Sequence, residues 1–124
     1  MHEPTICLCV QNDIIQPLKW MLKEYDRQFL VTSLHSAIEV EQAMNTKHWD
    51  ILIFESSASQ ETILPYLQRL RTHTPGQKII LIVPPNIQKE EVIELIKQRM
   101  VQGLLVKPFT GEVMSSYLDK LCVS

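Results

Sequence analysis

Five apolar runs of strand length alternate along the chain with segments whose apolar residues recur at helical spacing. The runs cover residues 5–10, 29–34, 51–54, 78–83 and 103–106. Most are apolar at consecutive positions, as parallel strands buried on both faces require, because helices cover each side of the sheet.

Between the first two runs, Ile14, Leu18, Met21, Leu22 and Tyr25 predict a helix over about 14–27, with Pro17 in its first turn. Ser36-Ala37-Ile38-Glu39 is a capping box, so a second helix starts at Ser36 and runs to about Lys47. A third is expected over about 62–72, with Ile63, Leu64, Leu67 and Leu70 inward, Pro65 in the first turn and Thr74-Pro75-Gly76 as the breaker. Pro84-Pro85-Asn86 ends the fourth strand, and Val92, Ile93, Leu95, Ile96 and Met100 form the apolar stripe of a fourth helix. The last begins after Pro108, with Val113, Met114, Tyr117, Leu118 and Leu121 in register.

Five strand-helix units with right-handed crossovers leave few topologies. The expected class is α/β, a flavodoxin-like (βα)5 three-layer sandwich whose parallel five-stranded sheet has the order 2-1-3-4-5, formed as one domain over residues 1–124. Such sheets carry their functional crevice at the carboxyl ends of strands 1 and 3. Gln11, Asn12 and Asp13 would line it from the first strand, and Glu55 from the third.

Composition narrows the function without choosing it. With 45% hydrophobic residues, 21% charged residues and a formal charge of −2, nothing favours direct binding to nucleic acid or to a membrane surface. No apolar stretch approaches the ~20 residues of a membrane span, and the His2-Glu3-Pro4 start does not resemble a signal peptide, so a cytoplasmic location is expected. Cys7, Cys9 and Cys122 read as buried thiols, and the four histidines form no cluster with metal-ligand spacing. His48-Trp49 and the Arg71/His73 pair read as surface and edge packing. No Gly-rich phosphate loop follows the first strand, which makes a small-molecule binder of this fold class the weakest option.

Val106-Lys107-Pro108-Phe109 followed by a helix, with Lys107 lying 52 residues after the acid that ends the third strand, resembles the receiver domain of two-component response regulators over the whole chain. The resemblance implies a pocket in which an Asp ending strand 3 accepts a phosphoryl group from a histidine kinase. Two acids after strand 1 hold Mg²⁺, a Ser or Thr ending strand 4 contacts the phosphoryl group, and a Lys ending strand 5 completes the pocket.

Of those parts the chain keeps Lys107 alone. Gln11-Asn12 stands where the acidic pair belongs, with Asp13 one place later, and losing two carboxylates should abolish the Mg²⁺ site, so no cofactor is expected. Glu55 replaces the acceptor Asp; its extra methylene shifts the carboxylate by roughly 1.5 Å, and positioning errors near 1 Å cost about a hundredfold. The strand 4 hydroxyl falls on Val83, Pro84 or Pro85, none of which has one. The reporting aromatic of strand 5 maps to Leu104, so its rotamer switch is missing or is made by a different side chain. The usual Pro and Gly of the loop after strand 3 fall on Ser59 and Ile63, which predicts a different backbone path there.

The expectation is therefore a pseudo-receiver: a non-catalytic signalling domain that binds a protein partner, or itself, without phosphorylation. Its expected face is that of helix 4, strand 5 and helix 5, where Glu90, Glu91, Glu94 and Lys97 read either as a solvated helix face or as a contact surface. The alternatives are a receiver with atypical chemistry, for example at Asp13, and the regulatory domain cut from a longer response regulator. Glu55 and Lys107 read equally as a standing mimic of the phosphorylated state and as a plain ion pair at the sheet edge. Asp13 reads as a surviving acid or, preferably, as the N-cap of the first helix.

Overall fold

A computed structural model describes residues 3–25 and 28–121. In chain order it contains β1 (Thr5–Cys9), α1 (Asn12–Glu24), β2 (Leu30–Ser33), α2 (Ala37–Thr46), β3 (Ile51–Glu55), a 3-10 turn (Ser56–Ala58), α3 (Ile63–His73), β4 (Ile79–Val83), α4 (Lys89–Lys97), β5 (Gly103–Val106) and α5 (Gly111–Leu121). All strand pairs are parallel, and the sheet order is β2-β1-β3-β4-β5, as the alternation predicts.

Strand parity divides the core in two. Side chains one residue apart point to opposite faces. On one face Cys7, Cys9, Leu52, Phe54, Leu81 and Val83 pack with α2, α3 and α4 through Val40, Met44, Tyr66, Leu67, Leu70 and Leu95. On the other, Ile6, Leu8, Ile51, Ile53, Ile80 and Ile82 meet α1 and α5 through Leu18, Leu22, Met114 and Leu118. At roughly 1.5–3 kcal/mol for each fully buried large aliphatic side chain, these two layers dominate the stabilisation of the fold. β1, β3 and β4 are covered on both sides, whereas β2 lies at the sheet edge and leaves Leu30 and Val31 exposed. Its apolar run looks like a buried strand and is not one.

Burial also decides the cysteine reading. Cys7 and Cys9 are free and buried, and burial pushes their thiols up to about 12 and about 11. Cys122 lies outside the described residues.

The helix boundaries refine the sequence reading. α1 starts two residues earlier than its apolar spacing implies, so Pro17 is its sixth residue and lies beyond the first turn. The helix stops at Glu24, where Tyr25 is extended, short of the predicted end at 27; residues 26–27 lie outside the described ones. The α2 capping box forms, with Ser36 Oγ accepting from the Glu39 N–H at 3.2 Å. Its reciprocal half is displaced by one residue, because Glu39 Oε1 accepts from the His35 N–H at 3.0 Å. In α3, Pro65 does fall in the first turn, but Tyr66 takes the fully buried place expected of Leu64 and donates its hydroxyl to the Ala37 carbonyl at 2.8 Å. Trp49 is a core residue whose indole N–H caps the Ala43 carbonyl at 3.0 Å.

Only Leu95 of the predicted α4 stripe is fully buried. Ile93 and Ile96 are exposed, and Met100 lies past the end of the helix. α4 closes with Arg99 in the left-handed region at φ 56°, and the Met100 N–H reaches back to the Leu95 carbonyl at 2.9 Å. That is the six-to-one bond of a Schellman cap, with Arg at the position that favours glycine.

Candidate functional site

The carboxyl ends of β1, β3 and β5 deliver Gln11, Glu55 and Lys107 to one rim of the sheet. Glu55 is the last residue of β3 and one of two buried polar or charged residues among those described. Burying a carboxylate is costly unless it is fully bonded, and both of its oxygens have partners. Oε1 accepts the Gln11 backbone N–H at 2.8 Å, and Oε2 accepts Lys107 Nζ at 2.9 Å.

Lys107 has a second acid. Its Nζ lies 3.3 Å from Asp13 Oδ2, so the ammonium bridges the buried Glu55 and the exposed Asp13. The hydrogen bond to Glu55 is the main cause that raises the lysine above its ordinary value, with Asp13 adding to it. Asp13 is not the N-cap of α1: Gln11 holds that position without a side-chain cap bond, and Asp13 lies in the first turn, where a negative charge suits the helix dipole. Gln11 uses its side chain elsewhere, donating Nε2 to Ser57 Oγ at 3.1 Å in the turn that follows β3.

Four of the residues singled out in the sequence thus converge: Gln11, Asp13, Glu55 and Lys107. Asn12 is the exposed first residue of α1. Val83 pairs with Val106 across the sheet and buries its side chain in the α2–α3–α4 core, so it does not face the rim. Pro84, half-buried, gives its carbonyl to the Ile87 N–H at 3.2 Å. Leu104 packs against the same core as Val83, and its carbonyl accepts the Tyr117 hydroxyl at 3.2 Å. The aromatic ring next to Leu104 therefore comes from α5, and it lies over Gly103, where a Cβ would stand 2.8 Å from the ring.

Sequence reasoning missed what lies beside the ion pair. A pocket of about 330 Å³ opens next to Lys107, with walls from Ile14, Pro17 and Met21 of α1 and from Pro85, Pro108 and Phe109. The signal was present in the spacing 14, 17, 21, one face of a helix, but the same spacing describes an ordinary core stripe. Among the described residues no group of three or more His, Cys, Asp or Glu side chains is placed to hold a metal ion, and none of the helices is long and apolar enough to cross a membrane.

No protein-family profile and no curated protein sequence matches the chain. Solved structures do match. The signal receiver domain of an HD domain-containing protein from Pseudomonas fluorescens Pf-5 superposes with a TM-score of 0.82 at 19% identity, over 98% of this chain and 95% of that one. A CheY-like response regulator receiver domain from Methanospirillum hungatei JF-1 gives 0.81 at 15% identity, over 98% and 95%. A Francisella response regulator receiver domain gives 0.80 at 19% identity, over 96% of both chains. With the sheet order and the five helices, these likenesses establish that the chain has the receiver fold.

Proposed function

We propose that the chain is a receiver-like signalling domain that does not run the phosphorelay reaction and acts by binding a protein partner. The observation that carries this reading is the position of Lys107 Nζ, 2.9 Å from Glu55 and 3.3 Å from Asp13. The ammonium ion bridges these two carboxylates and engages both of them. The donor set suits Mg²⁺ poorly: Glu55 already spends one oxygen on the Gln11 amide and the other on Lys107, which leaves Asp13 as the one exposed carboxylate beside the pair. With no hydroxyl on Val83, Pro84 or Pro85 and no acidic pair after β1 to hold a metal, Lys107 is the one part of the receiver pocket left to stabilise charge on a transferring phosphoryl group.

The contact surface in this reading is the face of α4, β5 and α5. Ile93, Ile96, Val106 and Val113 on those elements are all exposed, beside the charged flank of α4. Exposed apolar side chains gathered on three adjacent elements favour association over a purely solvated role for that face. The partner is a protein or a second copy of the chain. Both readings of Glu55 and Lys107, the standing mimic and the plain ion pair, predict this contact.

Incubation with radiolabelled acetyl phosphate and Mg²⁺, or with a histidine kinase and ATP, tests the central claim. No stable label is expected on the wild-type chain. Label that is retained, and lost in Glu55→Ala or Asp13→Ala, would establish an active receiver of atypical chemistry instead.

A further inference from the structure

A second surface lies on the opposite flank, between α1 and α5, and it has a chemistry of its own. The pocket beside Lys107 is neighboured by a second one of about 580 Å³, and Met21 lines both. Of the five residues that α5 contributes to its lining, Gly111, Ser115 and Ser116 are small, and Glu112 and Asp119 are acidic. At Gly111 the nearest neighbour of a would-be Cβ is Met21 Cγ at 3.8 Å, so α1 and the start of α5 meet there, and the Tyr25 hydroxyl after α1 donates to Asp119 further along α5. Trp20, at 63% exposure the second most exposed large hydrophobic residue described, stands at the lip of the groove.

Charge along the second pocket has one sign. Glu24 of α1 and Glu112 and Asp119 of α5 line the second pocket, and none of its described lining residues is basic. The cations of α1, Lys19 and Lys23, line a different cleft together with Phe29 and Val31. Lys120 of α5 lies over the ring of Tyr117, which covers Gly103 of β5. At the upper end Lys107 is matched by two carboxylates, so the ion pair leaves a negative charge uncancelled at exposed Asp13. The groove therefore joins an apolar pocket, an exposed indole and an acidic lip, with the basic side chains of both helices turned away.

We infer that the α1–α5 groove docks a basic amphipathic helix of a partner protein. Its apolar side chains would fill the pocket beside Phe109 and cover Trp20, while its lysines or arginines meet Glu24, Glu112 and Asp119. Helices seat in grooves of this kind through apolar anchors at successive turns, and Pro17, Met21 and Glu24 lie one turn apart along α1. This surface is separate from the α4–β5–α5 face and does not depend on the absence of phosphorylation.

The probe is a fluorescein-labelled amphipathic helix of leucine and lysine, about 16 residues long so that it is helical when bound, read by anisotropy against the 124-residue chain. Saturable binding is expected. It should weaken about tenfold in Glu24→Lys/Glu112→Lys, since reversing two lip charges costs on the order of 1.4 kcal/mol, and it should stay unchanged in Ile93→Lys/Ile96→Lys. A glutamate-for-lysine version of the probe should not bind. Amide and indole shifts of the wild-type protein on titration give a reading that needs no variant: Trp20, Gly111, Ser115 and Ser116 should move first. Equal binding of the acidic probe, no binding at all, loss in the α4 variant alone, or shifts gathered elsewhere would each overturn the assignment. So would self-association through this groove, seen as the same shifts on raising the protein concentration without the probe.

Discussion

The two ends of the sheet solve one problem in opposite ways. At the amino ends of β4 and β5, Arg71 reaches from the end of α3 and is held by uncharged acceptors: Nε and Nη2 donate to the Met100 carbonyl at 3.1 and 2.8 Å, Nη1 donates to the Pro75 and Gln77 carbonyls, and Nη2 also meets Gln102 Oε1 at 2.8 Å. At the carboxyl ends, Lys107 is held by two acids. The directions of titration follow. Burial lowers Arg71 from its usual value, whereas the bond to Glu55 raises Lys107. A cation fixed by carbonyls is a staple for the chain. One fixed by carboxylates is a counter-ion, and its bonds respond to every charge that approaches.

The most severe test of that contrast removes the staple. Arg71→Met would take the guanidinium donors from the Met100, Pro75 and Gln77 carbonyls, while Gln102 Oε1 keeps the Ile79 N–H, and should cost about 3 kcal/mol in urea unfolding, since hydrogen bonds to charged groups contribute roughly 1.5–3 kcal/mol. Lys107→Met leaves buried Glu55 with the Gln11 amide alone; because the lysine is partly exposed, the cost should be nearer 2 kcal/mol than the full value of a buried pair. If Lys107→Met proved the more damaging, the rim pair would be the structural joint and the contrast would collapse.

The pair should also leave a mark in alkali. With the folded value of Lys107 raised, its contribution is complete below the unfolded lysine value of about 10.4 and fades as pH rises through the higher folded value. The stability gap between wild type and Lys107→Met, measured at pH 7 and again near pH 11, should therefore narrow.

A smaller effect of opposite sign is expected at Arg99. Its left-handed φ of 56° closes the α4 cap, so Arg99→Gly should stabilise the chain by about 0.5–1 kcal/mol, read as a higher urea midpoint with unchanged slope. Smallest of all, Asp13→Asn should change stability by under about 0.5 kcal/mol, because Asp13 is 64% exposed and Glu55 keeps the lysine in place.

Much of the fold was legible because strands buried on both faces must be apolar at every position, and those runs show in any window of the sequence. The Ser36 boundary was legible because a cap is a local bond between residues three apart. Edge position is not local. β2 carries the same kind of run as β1, and only the pairing of the sheet reveals that one of its sides is open. Nor could the start of α1 be read, since apolar spacing begins with the first inward residue and not with the first helical one.

The site divides along the same line. Glu55 and Lys107 came from strand ends and a motif, and they meet at 2.9 Å. The bond between Asp13 and Lys107 joins residues 94 apart, and the local chemistry of Asp pointed to a cap. Arg71 looked like edge packing beside His73; its acceptors include the Met100 carbonyl 29 residues away, which no local pattern marks.

The two buried thiols of β1 act as a clock. Cys7 and Cys9 face the α2–α3–α4 core on a strand with neighbours on both sides, and burial keeps them protonated, so a thiol reagent can reach them only after that layer lifts from the sheet. Their alkylation rate in native buffer thus reads how often one half of the sandwich opens. Comparing that rate in the presence and absence of a bound partner shows whether an event on an outer face reaches the central strand.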